Sequence, residues 1–131
     1  VKRQKGEFEN TVAKGRRAEA LSARIFRARG FSVLAQNLYF GHTGEIDLIL
    51  NRGKRLYFVE VKSCYRGGSE ENVDPLEQIQ RQKLLRIRRC AEIYVNQHMI
   101  WQFHIHFLAV SVLFSEGNRL LKWSCVPMDE A

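Results

Sequence analysis

The chain has 131 residues with 45% hydrophobic and 27% charged side chains, which fits one ordinary globular domain and excludes a low-hydrophobicity disordered chain. Its most hydrophobic region holds an unbroken apolar run of only four residues, Phe107–Val110, so no stretch approaches the roughly 20 residues of a membrane-spanning helix. No apolar segment follows the charges of Val1-Lys-Arg-Gln-Lys-Gly-Glu7, so a secretory signal is not expected, a cytoplasmic location is, and residues 1–10 read as a flexible basic N-terminus.

In chain order, Ala18, Leu21, Ile25 and Ala28 recur at helical spacing, and Gly30 stops a first helix over residues 11–29. Strands follow at residues 31–35, 44–51 and 55–62, and a loop is expected from Cys64 to Asp74. Asp74 and Pro75 open a second helix whose apolar stripe is Leu76, Ile79, Leu84, Ile87, Ala91 and Tyr94/Val95. Strands at 103–114 and 120–126, joined by the turn Ser115-Glu-Gly-Asn118, complete the order α-β-β-β-α-β-β. The expectation is an α/β protein, a mixed β-sheet of about five strands flanked by helices, in a single domain over residues 1–131.

The net charge of +7 is concentrated. Residues 1–29 carry nine Lys/Arg against three Glu, and residues 76–96 carry five against two. Two basic helices fit a polyanion-binding face, with Arg16 and Arg17 on the first and Lys83 and Arg86 on the second, although solvated helix surfaces carry charge as well. Three cysteines, Cys64, Cys90 and Cys125, odd in number, widely spaced and outside any CxxC pair, fit neither a disulfide framework nor a zinc ribbon. His104 and His106 share a strand face but lack a third ligand, so zinc is not expected.

The chemistry lies between the second and third strands. A two-residue loop of Gly53 and Lys54 suits a type II′ hairpin, pairing Arg52 with Arg55. Counting back sets Asp47 opposite Glu60 and Glu45 opposite Lys62, and leaves Ile46, Leu48 and Leu50 to meet Val61, Val59 and Tyr57 on an apolar face. Carboxylates facing one another across a strand pair, with Cβ atoms about 5 Å apart, repel unless a positive group holds them. A hard divalent cation, Mg²⁺ or Mn²⁺, held by Asp47, Glu60 and the Val61 main-chain carbonyl would do so. Lys62 adds an ammonium able to orient water or stabilise phosphate charge. The bland alternative, an exposed hairpin face with a Glu45–Lys62 pair and two solvated acids, predicts water-facing surroundings; the flanking Leu48-Ile-Leu50 and Leu56-Tyr-Phe-Val59 are apolar instead.

Gly44-Glu-Ile-Asp47 followed by Glu60-Val-Lys62 resembles the PD-(D/E)xK nuclease motif. With Gly15-Arg-Arg-Ala-Glu19, Asn37, Phe58-Val-Glu-Val-Lys62 and the Pro75 to Lys83 segment, the order of motifs over residues 12–96 resembles the bacterial YraN-like family. That resemblance implies a restriction-endonuclease-like fold related to Holliday-junction resolvases. It also implies a metal-dependent endonuclease acting on DNA, structure-selective and homodimeric by analogy. By the same resemblance Asp47 and Glu60 hold metal, Lys62 is catalytic, Glu19 completes the site as a further acid, and Gln78, Gln82 and Lys83 lie near DNA. Leu38-Tyr39 stands where the family carries an aromatic-Arg pair, which removes a cation. The alternative is a non-catalytic adaptor binding nucleic acid with the same fold. A third reading, a structural component of a larger complex, uses strand 103–114 as an exposed edge.

Overall fold

The computed structural model describes residues 2–67 and 81–128, with side chains described at Ala13, from Gly15 onward, and again from Gln82. Helix α1 (Lys2–Ala28) leads into β1 (Ser32–Tyr39), a 3₁₀ turn (Gly41–Thr43), β2 (Glu45–Arg52) and β3 (Arg55–Tyr65). Helix α2 (Arg81–His98), β4 (His104–Phe114) and β5 (Leu120–Pro127) complete the expected order. The strands form one sheet in the order β1-β2-β3-β4-β5. All neighbours are antiparallel except β3 and β4, which run parallel and therefore need a crossover; α2 lies within it.

Gly30, at φ +92°, ends α1 with Phe31 N–H on the Phe26 carbonyl and Gly30 N–H on that of Arg27, the paired bonds of a Schellman cap. The helix begins at Lys2 rather than at residue 11, continuous with the stretch expected to be a flexible tail. Its buried ridge is Ala18, Ser22, Ala23 and Phe26, with Leu21 and Ile25 at the margin, and Ala28 is exposed. Ser22 is tolerated there because its Oγ donates to the Ala18 carbonyl at 2.7 Å and accepts from Trp123 Nε1 at 3.0 Å.

Three further expectations change. Strand β3 continues past Cys64 to Tyr65 because its parallel partner holds it, Tyr65 facing Phe114. The strand expected as an exposed edge, residues 103–114, is interior, since β4 pairs with both β3 and β5. The Asp74–Pro75 helix start, Leu76, Gln78 and Ile79 lie outside the described residues.

The sheet separates two apolar layers. Leu48, Leu50, Tyr57, Val59 and Val110 pack with Ala18, Ala23 and Phe26 of α1. Ile49, Leu56 and Phe58 pack with Leu84, Ile87, Ala91 and Tyr94 of α2. The hairpin is as read from its turn: Arg52 faces Arg55 and Leu48 faces Val59, with Gly53 at φ +60°.

Ile46 departs from that pattern. Strict alternation sets it beside Leu48 and Leu50, yet it packs in the α2 layer with Ile49. The period therefore breaks at Asp47, and the backbone on either side is unusual. Asn37 of β1 lies at φ +51°, and Gly44, just before β2, lies at φ +137° and ψ −162°, a region open essentially to glycine alone. A Cβ on Gly44 would stand 2.6 Å from Arg86 Cδ and 3.0 Å from its Cγ. Gly44→Ala is therefore expected to lower unfolding free energy by about 1–3 kcal/mol, measured as a reduced urea midpoint at unchanged m-value.

Candidate active site

Asp47 sits where β2 and β3 part. Their ladder runs from Arg52–Arg55 to Leu48–Val59 and stops, so Asp47 and Glu60 are not ladder partners as the register count implied. The Asp47 carboxylate fills the gap: the Val61 N–H donates to its Oδ2 at 2.7 Å. Because the N–H and C=O of one strand residue point to the same edge, the Val61 carbonyl opens on the same gap.

Three further acids act on Asp47. Glu60 is buried, only 7% exposed, and its charge, with those of Glu19 and Glu45, acts on Asp47. Burial first, and then the Glu60 charge, push the Asp47 carboxyl up to about 8, against the opposing pull of the Val61 N–H. Glu19 comes from the facing helix α1. Burial raises its pKa, as do the charges of Glu45 and Glu60, while a hydrogen bond from the Asn37 side chain and the Arg16 charge oppose the rise. The left-handed backbone at Asn37 thus has a partner in the site: the amide of this β1 residue braces a helix-borne acid. Asn37 belonged to the family motif but had no role in the sequence reading; an Asn at a break in a strand pattern was the available signal.

The cation that meets Glu60 is Lys83 of α2, with Nζ 2.5 Å from Oε1. Lys83, which the family resemblance sets near DNA, is partly exposed and pairs with this buried acid. Lys62 is half-buried and shares the Glu60 face by strand period. The exposed hairpin alternative fails, because Glu60 is buried and its ion pair is made with α2 rather than across the hairpin.

Arg29 lies over the Trp123 ring at 5.1 Å, Arg52 over Phe31 at 4.1 Å and Arg88 over Phe107 at 5.8 Å, so these three pack on aromatic faces. Arg16 and Arg17 are exposed on α1 next to Glu19. A groove of about 480 Å³ runs between α2 and the 3₁₀ turn, lined by His42, Thr43, Gln82, Leu85, Arg86 and Arg89. Two of the expected nucleic-acid contacts, Gln82 and Arg86, lie in it, whereas Gln78 is outside the described residues.

Among the described residues no three His, Cys, Asp or Glu side chains are disposed to cage a metal. The donor set nevertheless suits a hard ion that keeps most of its water: two neighbouring carboxylates, Asp47 and Glu60, a carbonyl beside them, and mutual repulsion that a cation relieves. His106 stacks on Tyr57 with ring centroids 4.9 Å apart, and burial pushes its pKa down; it lies in an aromatic layer. No disulfide joins the three cysteines, of which Cys64 and Cys90 are buried. Among the described residues no helix is long and apolar enough to cross a membrane.

The fold and site together define an α/β protein with a five-stranded mixed sheet that gathers acids at the splayed end of a central hairpin. The chain belongs to the Uncharacterised protein family UPF0102, whose family profile matches residues 18–112, the YraN-like family that the motif order resembles. It is 34% identical over 116 residues to a UPF0102 protein of Dictyoglomus turgidum, covering 86% of this chain and 92% of that one. A UPF0102 protein of Anaeromyxobacter dehalogenans is 36% identical over 116 residues, 86% of this chain and 81% of its own. One from Streptomyces coelicolor is 40% identical over 86 residues, 66% and 64% of the two chains. The matched span includes Glu19, Asp47, Glu60 and Lys62.

The raised carboxyls set a pH dependence. A group whose pKa is higher folded than unfolded lends stability that is complete below its ordinary value and is lost as pH rises through the folded one. For Asp47 that window runs from the ordinary carboxylate range to about 8. In EDTA the wild-type melting temperature should therefore fall relative to that of Asp47→Asn between about pH 5 and pH 8.5, the amide mimicking the protonated acid. Thermal melts of both proteins at several pH values measure this; a gap that stays constant with pH would remove the buried-acid account.

Proposed function

We propose that the protein is a metal-dependent endonuclease that hydrolyses phosphodiester bonds in DNA, with branched or recombination and repair intermediates as its substrates. The observation that carries this reading is the gap in the sheet at Asp47, beside the buried Glu60, with the charge of Glu19 acting on Asp47 from α1 and Lys62 half-buried on the Glu60 face. The repulsion between these acids is unfavourable for the apo fold and suits a cation-dependent task. Asp47, Glu60 and the Val61 carbonyl would hold Mg²⁺ or Mn²⁺, with Glu19 as an additional ligand or an outer acid. When bound, such an ion supplies Lewis-acid stabilisation of phosphoryl oxygens and a more acidic water.

The chain's own groups divide the remaining work. The Lys62 ammonium favours the extra negative charge that gathers on phosphate during displacement. The Asn37 side chain hydrogen-bonds Glu19 and opposes the rise in its pKa that burial causes. Lys83 holds the Glu60 carboxylate on the α2 side of the gap. Arg16 and Arg17 on α1, with Gln82 and Arg86 on α2, bracket the site and supply phosphate contacts.

A second reading has its own support. Lys83 already gives Glu60 a positive partner, so a non-cleaving adaptor that binds nucleic acid with this fold needs no metal at that carboxylate. Metal dependence separates the two.

Labelled linear duplex, single-stranded and four-way-junction DNA are incubated with the protein in Mg²⁺, Mn²⁺ or EDTA, beside Lys62→Ala and Asp47→Asn. Cleavage is expected only with metal, reduced about 10²- to 10³-fold in Lys62→Ala and abolished in Asp47→Asn. Binding without cutting on every substrate selects the adaptor. Affinity should also fall steeply between about 50 and 200 mM salt, read by fluorescence anisotropy, because phosphate contacts release counterions; a flat response would remove the basic helices as the grip.

A further inference from the structure

A second groove, of about 510 Å³, lies between the edge strand β1 and the C-terminal half of α2. Its walls use Leu34, Tyr39, Phe40, Ile93, Tyr94 and His98. It is aromatic in an unusual way for a surface. Tyr39 is 72% exposed, and the rings of Tyr94 and His98 stack at 4.1 Å at the far wall.

Its position gives this chemistry a direction. Phe40 and Gly41 line this groove, while the next two residues, His42 and Thr43, line the basic one, so the two grooves meet at the 3₁₀ turn. Arg86 and Arg89 stand along the basic groove, and Arg86 packs on Gly44 at the entry to β2. Tyr39 itself faces Glu45 across the β1–β2 ladder. An aromatic trough that opens into a cationic one beside a cluster of acids matches the requirements of a flexible polyanion with flat apolar faces. Guanidinium groups suit its backbone, and exposed rings suit its bases. A continuous duplex offers no base faces to such a trough, because its bases are stacked on one another.

We infer that the groove between β1 and α2 binds unpaired nucleotides of a single-stranded nucleic acid, with Tyr39 as the principal stacking platform and Arg86 and Arg89 on the adjoining phosphates. The inference rests on the reading of the protein as nucleic-acid-binding and narrows the substrate class to one that carries an unpaired stretch. It does not depend on cleavage.

The test is a fluorescence-anisotropy titration in EDTA of a labelled oligothymidylate of about 15 nucleotides, and of a blunt duplex of equal length, against wild type, Tyr39→Ala and Tyr39→Trp. Tyr39 is exposed, so both variants should keep the wild-type circular dichroism and melting temperature. Tyr39→Ala is expected to weaken oligothymidylate binding about tenfold or more, Tyr39→Trp to retain it, and all three proteins to bind the duplex alike. Equal oligothymidylate affinity for wild type and Tyr39→Ala, a parallel loss on the duplex, or no oligothymidylate binding by wild type would overturn it. A protein that binds in EDTA as described but cuts nothing in Mg²⁺ loses the nuclease reading and keeps this one.

Discussion

Everything at this site depends on the bond from the Val61 N–H to the Asp47 carboxylate. In a continuous hairpin that N–H would meet a carbonyl of β2, and the ladder would run on beyond Leu48 and Val59. A side chain has taken the carbonyl's place. The exchange keeps the buried donor satisfied, which the interior requires, while freeing the strands to separate. It also fixes one oxygen of Asp47 to the backbone of β3, one residue from Glu60, so the two acids are held close by the chain itself. The repulsion this creates is met locally by Lys83 on Glu60, by Asn37 on Glu19, and by protonation of Asp47.

Those three remedies differ in what they allow. A proton on Asp47 is readily exchanged and leaves no trace in geometry. The Asn37 amide is neutral and orients without adding charge. Lys83 is a full charge on a flexible stem, and its partner is buried while it is itself partly open to water. Removing one member of so buried a pair leaves the other uncompensated, a larger effect than the pair's net contribution to folding. The arrangement therefore supports the architecture of the site more than the stability of the fold, which comes from the two apolar layers on either side of the sheet.

Much of this was legible in the chain because it is local. The Gly53-Lys54 turn set the β2–β3 register, and alternation then placed Leu48, Leu50, Tyr57 and Val59 on one face. Gly30 marked the end of α1, and the motif set Asp47 and Glu60 on neighbouring strands, although not as the ladder partners that the turn implied. The illegible parts are contacts that no short-range rule encodes. Trp123 reaches Ser22 across most of the sequence, and β4 is interior because β5 returns beside it. Lys83 turns to Glu60 because the α2 layer packs Leu84 and Ile87 over the sheet, which periodicity cannot distinguish from an outward-facing lysine. The break at Asp47 was hidden for a different reason: Ile46 is apolar, and an apolar residue looks correct on either face.

That break separates a designed gap from a frayed strand end. Fraying occurs where pairing is weak, at termini and exposed edges. Here β2 is flanked by β1 and β3, and Ile46, Leu48, Ile49 and Leu50 are all essentially inaccessible to water. In so well buried a strand, continued regular pairing would gain hydrogen bonds and relieve backbone strain, yet three departures gather within a few residues. Gly44 takes a conformation open essentially to glycine, Asn37 opposite takes a left-handed one, and the ladder stops at Leu48. Each is unfavourable by itself, and none helps the others pack. What they share is the position of Asp47, whose carboxylate accepts the Val61 N–H in the gap between the strands. The sheet has single register shifts elsewhere, at Val33–Ala35 and Leu113–Phe114, but only around this carboxylate do several local rules fail together, which singles out Asp47 on structural grounds independent of the motif.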